Sequence, residues 1–520
     1  MDPYRQQALL EYNSEETAAH PGGVNGRPFW NINSSQFTFA PVLQFPWIPS
    51  CKKYRFTATD RNGATHTFDA DTPLASLAPI WGEIPTGFVT LKVEGLGKNT
   101  GEVCHCAGTR TFFKCEPFPG RSALPPRARS YREAVLASFR YVYHEDLVQH
   151  WLTHGTPKPD YAHNVYPAKM ISSILHAMVE YGAAVPEKKE EALLLARRAA
   201  DYMLSISFPA GHPLEGLPPT YSFDGLNAEV VNEVAPAAQN CVGTTMMIYP
   251  VSAGCAYLDL ARATGEDKYL NAALVIAEFY KKNRHPSGSW YLLYDCNSGK
   301  PLKDNLCLEF QFVEFFQTLY DRTGEESWRQ MAEDYYRYVC DVCLKNYNWE
   351  GQFEDVAVSG NYRNLTHFTA IKLIRYITEY LRDDPQWVEV AKDLMRFVED
   401  QFVVWGEFPN WSDGEVNERH TPCGLEQYFC YVPIDSSTAF IVRGFMDLYR
   451  LTGDRLCLEK AMALADSITR MQDGESGMIP TFFIGENCSY GRFNYWINCQ
   501  FATTVILREL ADLTEREDIE

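Results

Sequence analysis

The chain has 520 residues, 46% of them hydrophobic and 22% charged, with 67 acidic against 47 basic side chains and a formal charge of -20. That length allows one large domain with an appendage, or three ordinary domains, around a substantial core. The acidic balance excludes nucleic acid and anionic membrane surfaces as main partners, since both reward basic patches, and no run approaches the roughly 18 uninterrupted apolar residues that would span a bilayer.

The opening "MDPYRQQALLEYNSEETAAHPGG" lacks a basic region followed by an apolar stretch, so no secretory signal is read. Residues 1–25 are taken as an N-terminal extension. The expected location is cytoplasmic, or periplasmic if a leader has been cleaved. From 26 to 118 the pattern has period two, as in "YRFTATDRNGATHTFDAD" and "GFVTLKVEGL", with Asn-Gly and Gly-Lys-Asn turns between runs. This predicts a small β-sandwich of immunoglobulin or fibronectin type. The Pro- and Arg-rich "CEPFPGRSALPPRARS" closes it near residues 118 to 128. The fifteen cysteines are odd in number and fall mostly in helical patterns, which fits free thiols better than a disulfide framework. Cys340 and Cys343 have zinc-finger spacing but lie on one amphipathic helix with no second pair, so no metal is expected there.

Beyond the linker the period becomes 3.6 and a unit repeats. "YLDLARATGEDKYLNAALVIAEFY" from Tyr257, "FQTLYDRTGEESWRQMAEDYYRYV" from Phe316 and "FMDLYRLTGDRLCLEKAMALADSI" from Phe445 each join an apolar helix to an amphipathic one through Thr-Gly-acid; a fourth copy from Tyr376 uses Asp-Pro. Gly ends the first helix and the acid caps the second. Six amphipathic helices are predicted near 128–150, 187–206, 267–283, 326–344, 385–402 and 456–472. Six apolar ones are predicted near 163–182, 236–263, 304–322, 361–381, 434–451 and 493–514. Helices apolar nearly all round must be enclosed and one-faced helices can wrap them, so residues 128–514 read as a closed (α/α)6 toroid, with an open solenoid as the alternative. The fold class is thus mainly α and multidomain.

The short turns lie on one face, so all long connectors gather on the other and carry the chemistry on loops held by a rigid scaffold. One of them, "NWEGQFEDV" at 348–356, packs a Trp, a Phe and three carboxylates into nine residues. Rim carboxylates are Asp224, Glu309, Glu350, Glu354, Asp355, Asp413, Glu426 and Asp435. The catalytic pair is expected from Asp224, Glu309 and Glu354, with Glu309 placed in the opening turns of an inner helix, where apolar neighbours would make it an acid. Asp435 reads equally as a helix cap. Trp290, Trp349, Trp411, Tyr431 and Trp496 are expected to stack on sugar rings. Lys169, His367, Arg419, His420 and Arg492 are candidate partners for a substrate carboxylate. Asp355 and Glu426 complete the expected binding set.

The helix count and Thr-Gly-acid hairpins resemble the toroidal carbohydrate-active enzymes, a group including unsaturated uronyl hydrolases, glucuronidases, sugar 2-epimerases and polysaccharide lyases. The resemblance covers roughly 128 to 514 and matches no single family's catalytic motif. It implies a glycoside hydrolase, exo-acting and glucuronidase-like, which removes a terminal glucuronic or unsaturated uronic acid from an oligosaccharide or glycoconjugate through two carboxyl groups. The alternatives are a lyase or uronyl epimerase abstracting a proton through His367, His163, Tyr166 or Tyr431, and a noncatalytic glycan-binding protein. No cofactor is expected: "DCNSGK" from Asp295 begins like a calcium loop but places Gly299 one position early. Homo-oligomerisation is left open.

Overall fold

The computed structural model describes residues 2–14, 34–97, 101–344, 347, 349–352, 365–409, 419–428, 432–485 and 495–519. The N-terminal segment forms a helix, α1 (Pro3–Tyr12), where Asp2 accepts from the Tyr4 and Arg5 amides and Pro3 occupies the first turn.

Seven strands follow: β1 (Gln36–Phe37), β2 (Val42–Gln44), β3 (Cys51–Thr59), β4 (Thr65–Ala70), β5 (Leu74–Ser76), β6 (Gly87–Gly97) and β7 (Val103–Lys114). Five make one sheet in the order β1-β7-β6-β3-β4, antiparallel except for the β1–β7 pair, while β2 and β5 form a separate ribbon. Alternation sorts the faces as the sequence suggests: Val89, Leu91 and Val93 of β6 are buried while Phe88, Thr90 and Lys92 are exposed. Among the described residues the partner of the five-stranded sheet is the ribbon with the one-turn helix α2 (Ala78–Trp81), not a second full sheet. Trp81 lies against Phe112 at 6.1 Å between ring centroids.

The remaining helices are α3 (Tyr131–His144), α4 (Asp146–His154), α5 (Pro167–Ala184), α6 (Lys189–Ile206), α7 (Ala228–Val234), α8 (Pro236–Gln239), α9 (Ile248–Thr264), α10 (Asp267–Lys282), α11 (Gln311–Thr323), α12 (Glu326–Cys343), α13 (Phe368–Tyr380), α14 (Pro385–Phe402), α15 (Asp435–Thr452), α16 (Arg455–Met471) and α17 (Ile497–Arg516). α5 packs on α9 and α9 on α11; α13 packs on α15 and α15 on α17. The final helix, α17, packs on both α3 and α5. The residues just ahead of α11 reach α13: the Phe310 and Tyr376 ring centroids are 5.4 Å apart, and Glu309 forms an ion pair with Lys372. The other helix of each pair flanks this circuit: α6 on α5, α10 on α9, α12 on α11, α14 on α13 and α16 on α15.

The repeated turns share one geometry. Gly265, Gly324 and Gly453 take φ of 73°, 67° and 73°, the left-handed C′ position. The preceding Thr264, Thr323 and Thr452 hydroxyls each donate to the carbonyl four residues back and accept from the amide two residues on. The acids diverge from expectation. Asp454 and Asp384 do cap the next helix, whereas Glu266 and Glu325 make no side-chain cap and reach back to Arg197 on α6 and Lys281 on α10.

A second correction concerns the inner helices, which are not apolar all round. Each carries isolated charges at helical spacing, and these meet one another: His176 of α5 with Asp259 of α9 at 2.8 Å, Glu180 with Arg508, and Arg375 and Arg443 both with Glu509 at 2.9 and 2.7 Å. The N-terminal region is bound to the helices through polar contacts. Asp400 accepts from the Thr38 and Phe39 amides at 2.7 Å each, and Tyr12, Trp405 and Lys460 converge on the buried Glu399.

Candidate active site

The N-terminal ends of the six inner helices open on one cavity of about 350 Å3. Lys169 of α5, Ser252 of α9, Gln311 of α11, Lys372 of α13, Phe440 of α15 and Asn498 of α17 all line it. Because helix N-termini carry the positive end of the peptide dipole, this end of the circuit favours a negatively charged group. Chain between the helices supplies Glu309, Gln352, Thr366, Glu426, Thr481 and Trp496.

Glu309 stands just before α11 rather than in its first turns. The reason is local: the residues ahead of it are extended, with a bridge between Tyr291 and Leu306, and the Leu308 amide donates to Gln352 at 2.8 Å. Beyond the apolar neighbours of "CLEFQF" that the sequence pointed to, its carboxylate has a charged partner: it accepts a hydrogen bond from the Lys372 ammonium, the two side chains being 12% and 19% exposed. Burial works against the lysine charge, but Glu309 and Glu314 outweigh it and hold the Lys372 ammonium above the ordinary lysine range. The same burial pushes Glu314 up, opposed by Lys372, Arg375 and Arg443. Lys372 escaped the sequence reading. Its signal is the pair Lys372 and Arg375, one turn apart in the otherwise apolar "FTAIKLIRYITEY".

On another part of the wall Trp496 lies against His163, with ring centroids 3.6 Å apart, and the Lys169 ammonium sits 5.1 Å from the indole centroid. His163 is buried, and burial holds its imidazole neutral with a pKa of about 3. His367 is fully buried between the wall residues Thr366 and Phe368, among Phe402 and Phe440. Burial brings it to about 3 as well, and neither ring nitrogen has a hydrogen-bond partner among the described residues. Asp435 lies behind wall residue Ser436. Burial drives its carboxyl well above the usual range against a hydrogen bond from Thr503 at 2.9 Å. The cap reading of Asp435 gives way, since the position before α15 belongs to Ile434.

Several expected site residues stand elsewhere. Asp224 is exposed in a turn, with its amide donating to Ser222, and does not line the cavity. Trp290 is core: its indole donates to the Tyr280 carbonyl and stacks on Phe312 at 4.7 Å. Trp349 is also buried and donates to the Thr366 carbonyl at 2.7 Å, so it fixes a wall residue from behind instead of meeting a ligand. Arg419 covers the ring of Phe408, and His420 is exposed with its amide on the Phe483 carbonyl; neither lines the cavity. Glu354, Asp355, Trp411, Asp413, Tyr431 and Arg492 lie outside the described residues. Glu350 is buried in the connector that also supplies Gln352. Of the expected residues, the structure therefore brings together Glu309, Glu426, Lys169 and Trp496.

No protein-family model matches the chain, and no curated protein does either. Solved structures do, and they are (α/α)6-toroid carbohydrate-active enzymes. The chain is similar to cellobiose 2-epimerase from Spirochaeta thermophila at 14% identity, with 74% of this chain and 98% of that one covered and a TM-score of 0.52. It is also similar to a family 76 glycoside hydrolase from a bovine Bacteroides thetaiotaomicron strain, at 10% identity over 92% and 97% of the two chains with a TM-score of 0.47. A third is unsaturated glucuronyl hydrolase from Streptococcus agalactiae, at 14% over 74% and 92% with a TM-score of 0.46. At such identities the likeness to the epimerase is one of fold. No helix among the described residues is long and apolar enough to cross a membrane.

Proposed function

We propose that residues 128–514 form a closed (α/α)6 toroid and that its cavity hydrolyses the bond to a terminal uronic acid of an oligosaccharide or glycoconjugate. The observation that carries this reading is the meeting of Glu309, Glu426, Lys169 and Lys372 in one pit lined from all six inner helices. A pit of about 350 Å3 suits the end of a glycan, not the middle of a chain. Two cations and six helix N-termini suit a sugar that carries a carboxylate, with Lys169 over Trp496 placing charge beside an apolar ring face.

In this mechanism Glu309, positioned by its hydrogen bond from the Lys372 ammonium, activates water or attacks the anomeric carbon. The second carboxyl group protonates the leaving oxygen. Glu426 takes that role, with Glu354, two residues beyond the wall residue Gln352, as the other candidate. A carboxyl separation of about 5 Å gives retention and about 6.5 to 9.5 Å gives inversion. A panel of aryl glycosides tests the reading: the glucuronide should be cleaved and neutral glycosides spared, and cleavage of neutral glycosides alone removes the uronate.

A second reading, proton abstraction beside the carboxylate by a lyase or epimerase, is favoured by one observation. His163 stands behind Trp496, and His367 stands behind Thr366 and Phe368 of the cavity wall, with burial holding both imidazoles neutral. Absorbance of a new double bond in the products, or solvent deuterium in recovered sugar, identifies it. For a noncatalytic glycan binder, Glu309→Gln would change affinity alone.

A further inference from the structure

A second hollow of about 370 Å3 opens beside the first, between the α3–α4 corner, the chain leading into α5, helix α7 and Tyr495 ahead of α17. Three phenols line it, Tyr141, Tyr161 and Tyr495, together with Glu145, Asp160 and Lys158. The two hollows share a wall one ring pair thick. His163 lines the second, Trp496 lines the first, and the two rings are stacked at 3.6 Å.

The chemistry of the two hollows differs. The first holds two lysines against two glutamates. In the second, Lys158 is drawn 3.4 Å from Asp146, outside the lining, which leaves Glu145 and Asp160 as the dominant charges among the described residues. A sugar carboxylate would be repelled there, whereas hydroxyl groups find acceptors. The phenols are fixed in place: Tyr161 accepts from the Ile497 amide at 3.1 Å, and Tyr141 meets Tyr495 edge to face at 5.6 Å. Burial and a hydrogen bond to Glu145 push the Tyr141 phenol upward, so it stays a neutral donor. Rigid aromatic faces with acceptors at the rim are what a neutral pyranose requires.

We infer that the second hollow is a subsite for a neutral sugar, holding the unit next to the acidic one in the main cavity. The substrate is then at least a disaccharide, an acidic terminal unit joined to a neutral one across the Trp496 edge. This rests on the uronate reading of the main cavity.

The test compares glucuronosyl fluoride, whose leaving group is too small to reach the second hollow, with a glucuronosyl-glucose disaccharide. In Glu145→Gln, and separately in Tyr141→Phe, the ratio of kcat/KM for disaccharide over fluoride should fall about tenfold from the wild-type ratio. A ratio within twofold of wild type in both variants overturns the subsite. A second arm uses cellobiose as a neutral probe in saturation-transfer NMR on the full chain, where signal should be present in wild type and reduced in Glu145→Gln. If neither glucuronosyl compound is cleaved and the cellobiose signal still depends on Glu145, the uronate hydrolase reading fails and the subsite stands. If the cellobiose signal is absent, or the same in variant and wild type, the subsite fails.

Discussion

Replacing Lys372 by Met removes the cation that is hydrogen-bonded to Glu309 among the described residues, and whose charge is also offset by Glu314. Breaking a fully buried pair by removing one partner costs about 3–5 kcal/mol. The side chains here are 12% and 19% exposed, so water recovers part of that and roughly 3 kcal/mol is expected. With an unfolding entropy of roughly 2.1 cal/mol/K per residue, a chain of this length converts that to a fall in Tm of roughly 3 °C. The functional effect is larger, because burial already raises the neighbouring Glu314 and Lys372 is one of the cations that oppose it, so losing that cation makes ionisation at the site harder. The acidic limb of the kcat/KM profile on an aryl glucuronide should move up by about one pH unit or more. Differential scanning fluorimetry and a pH–rate profile measure both, and Lys372→Met combined with Glu309→Gln should recover most of the Tm while remaining inactive. A Lys372→Met enzyme with wild-type Tm and an unmoved acidic limb would refute the role given to this ion pair.

Trp290→Ala should cost about 3–5 kcal/mol of stability, as expected of a fully buried indole, whereas Trp496→Ala should keep its Tm near wild type and raise KM; thermal unfolding beside kinetics separates the two. His367 is held neutral at about 3 against 6.5, so its contribution is complete above pH 6.5 and is lost as pH falls toward 3. Between pH 6.5 and 4.5 that loss is roughly 2–3 kcal/mol, and His367→Phe should be correspondingly less acid-labile in Tm measured at the two pH values. Gly265→Ala, Gly324→Ala and Gly453→Ala meet open space and should each cost only about 1 kcal/mol for the left-handed backbone. Gly477→Ala adds a Cβ 2.5 Å from the Ala137 carbonyl oxygen and should be distinctly worse in the same unfolding assay.

The hairpins were legible because Thr-Gly-acid has a direct physical meaning, a left-handed stop followed by a new helix. Predicted 267–283 became Asp267–Lys282, and predicted 385–402 became Pro385–Phe402. The starts of two inner helices were misread. Apolar runs at 244–248 and 306–310 satisfy a strand as well as a helix period, and the chain uses them as extended segments, Thr244–Met246 pairing with Leu293–Asp295. Those extended segments are what carry Glu309 to the cavity mouth. Connector tryptophans misled for a related reason. A long connector that folds back over a helix end needs an anchor, and Trp290 and Trp349 bury themselves to provide it, each spending its indole N–H on a backbone carbonyl. Lys372, by contrast, was readable as a solitary charge one turn from Arg375 in an enclosed helix. A buried charge needs a partner there, and Glu309 is the partner.

The most direct measurement is kcat/KM of wild type and Glu309→Gln on an aryl glucuronide, with the matching aryl glucoside alongside. The account predicts that wild type prefers the glucuronide and that the isosteric variant loses about a hundredfold or more while its Tm holds within a few degrees. A glucoside preference, or a Glu309→Gln enzyme that keeps most of its rate, would contradict it.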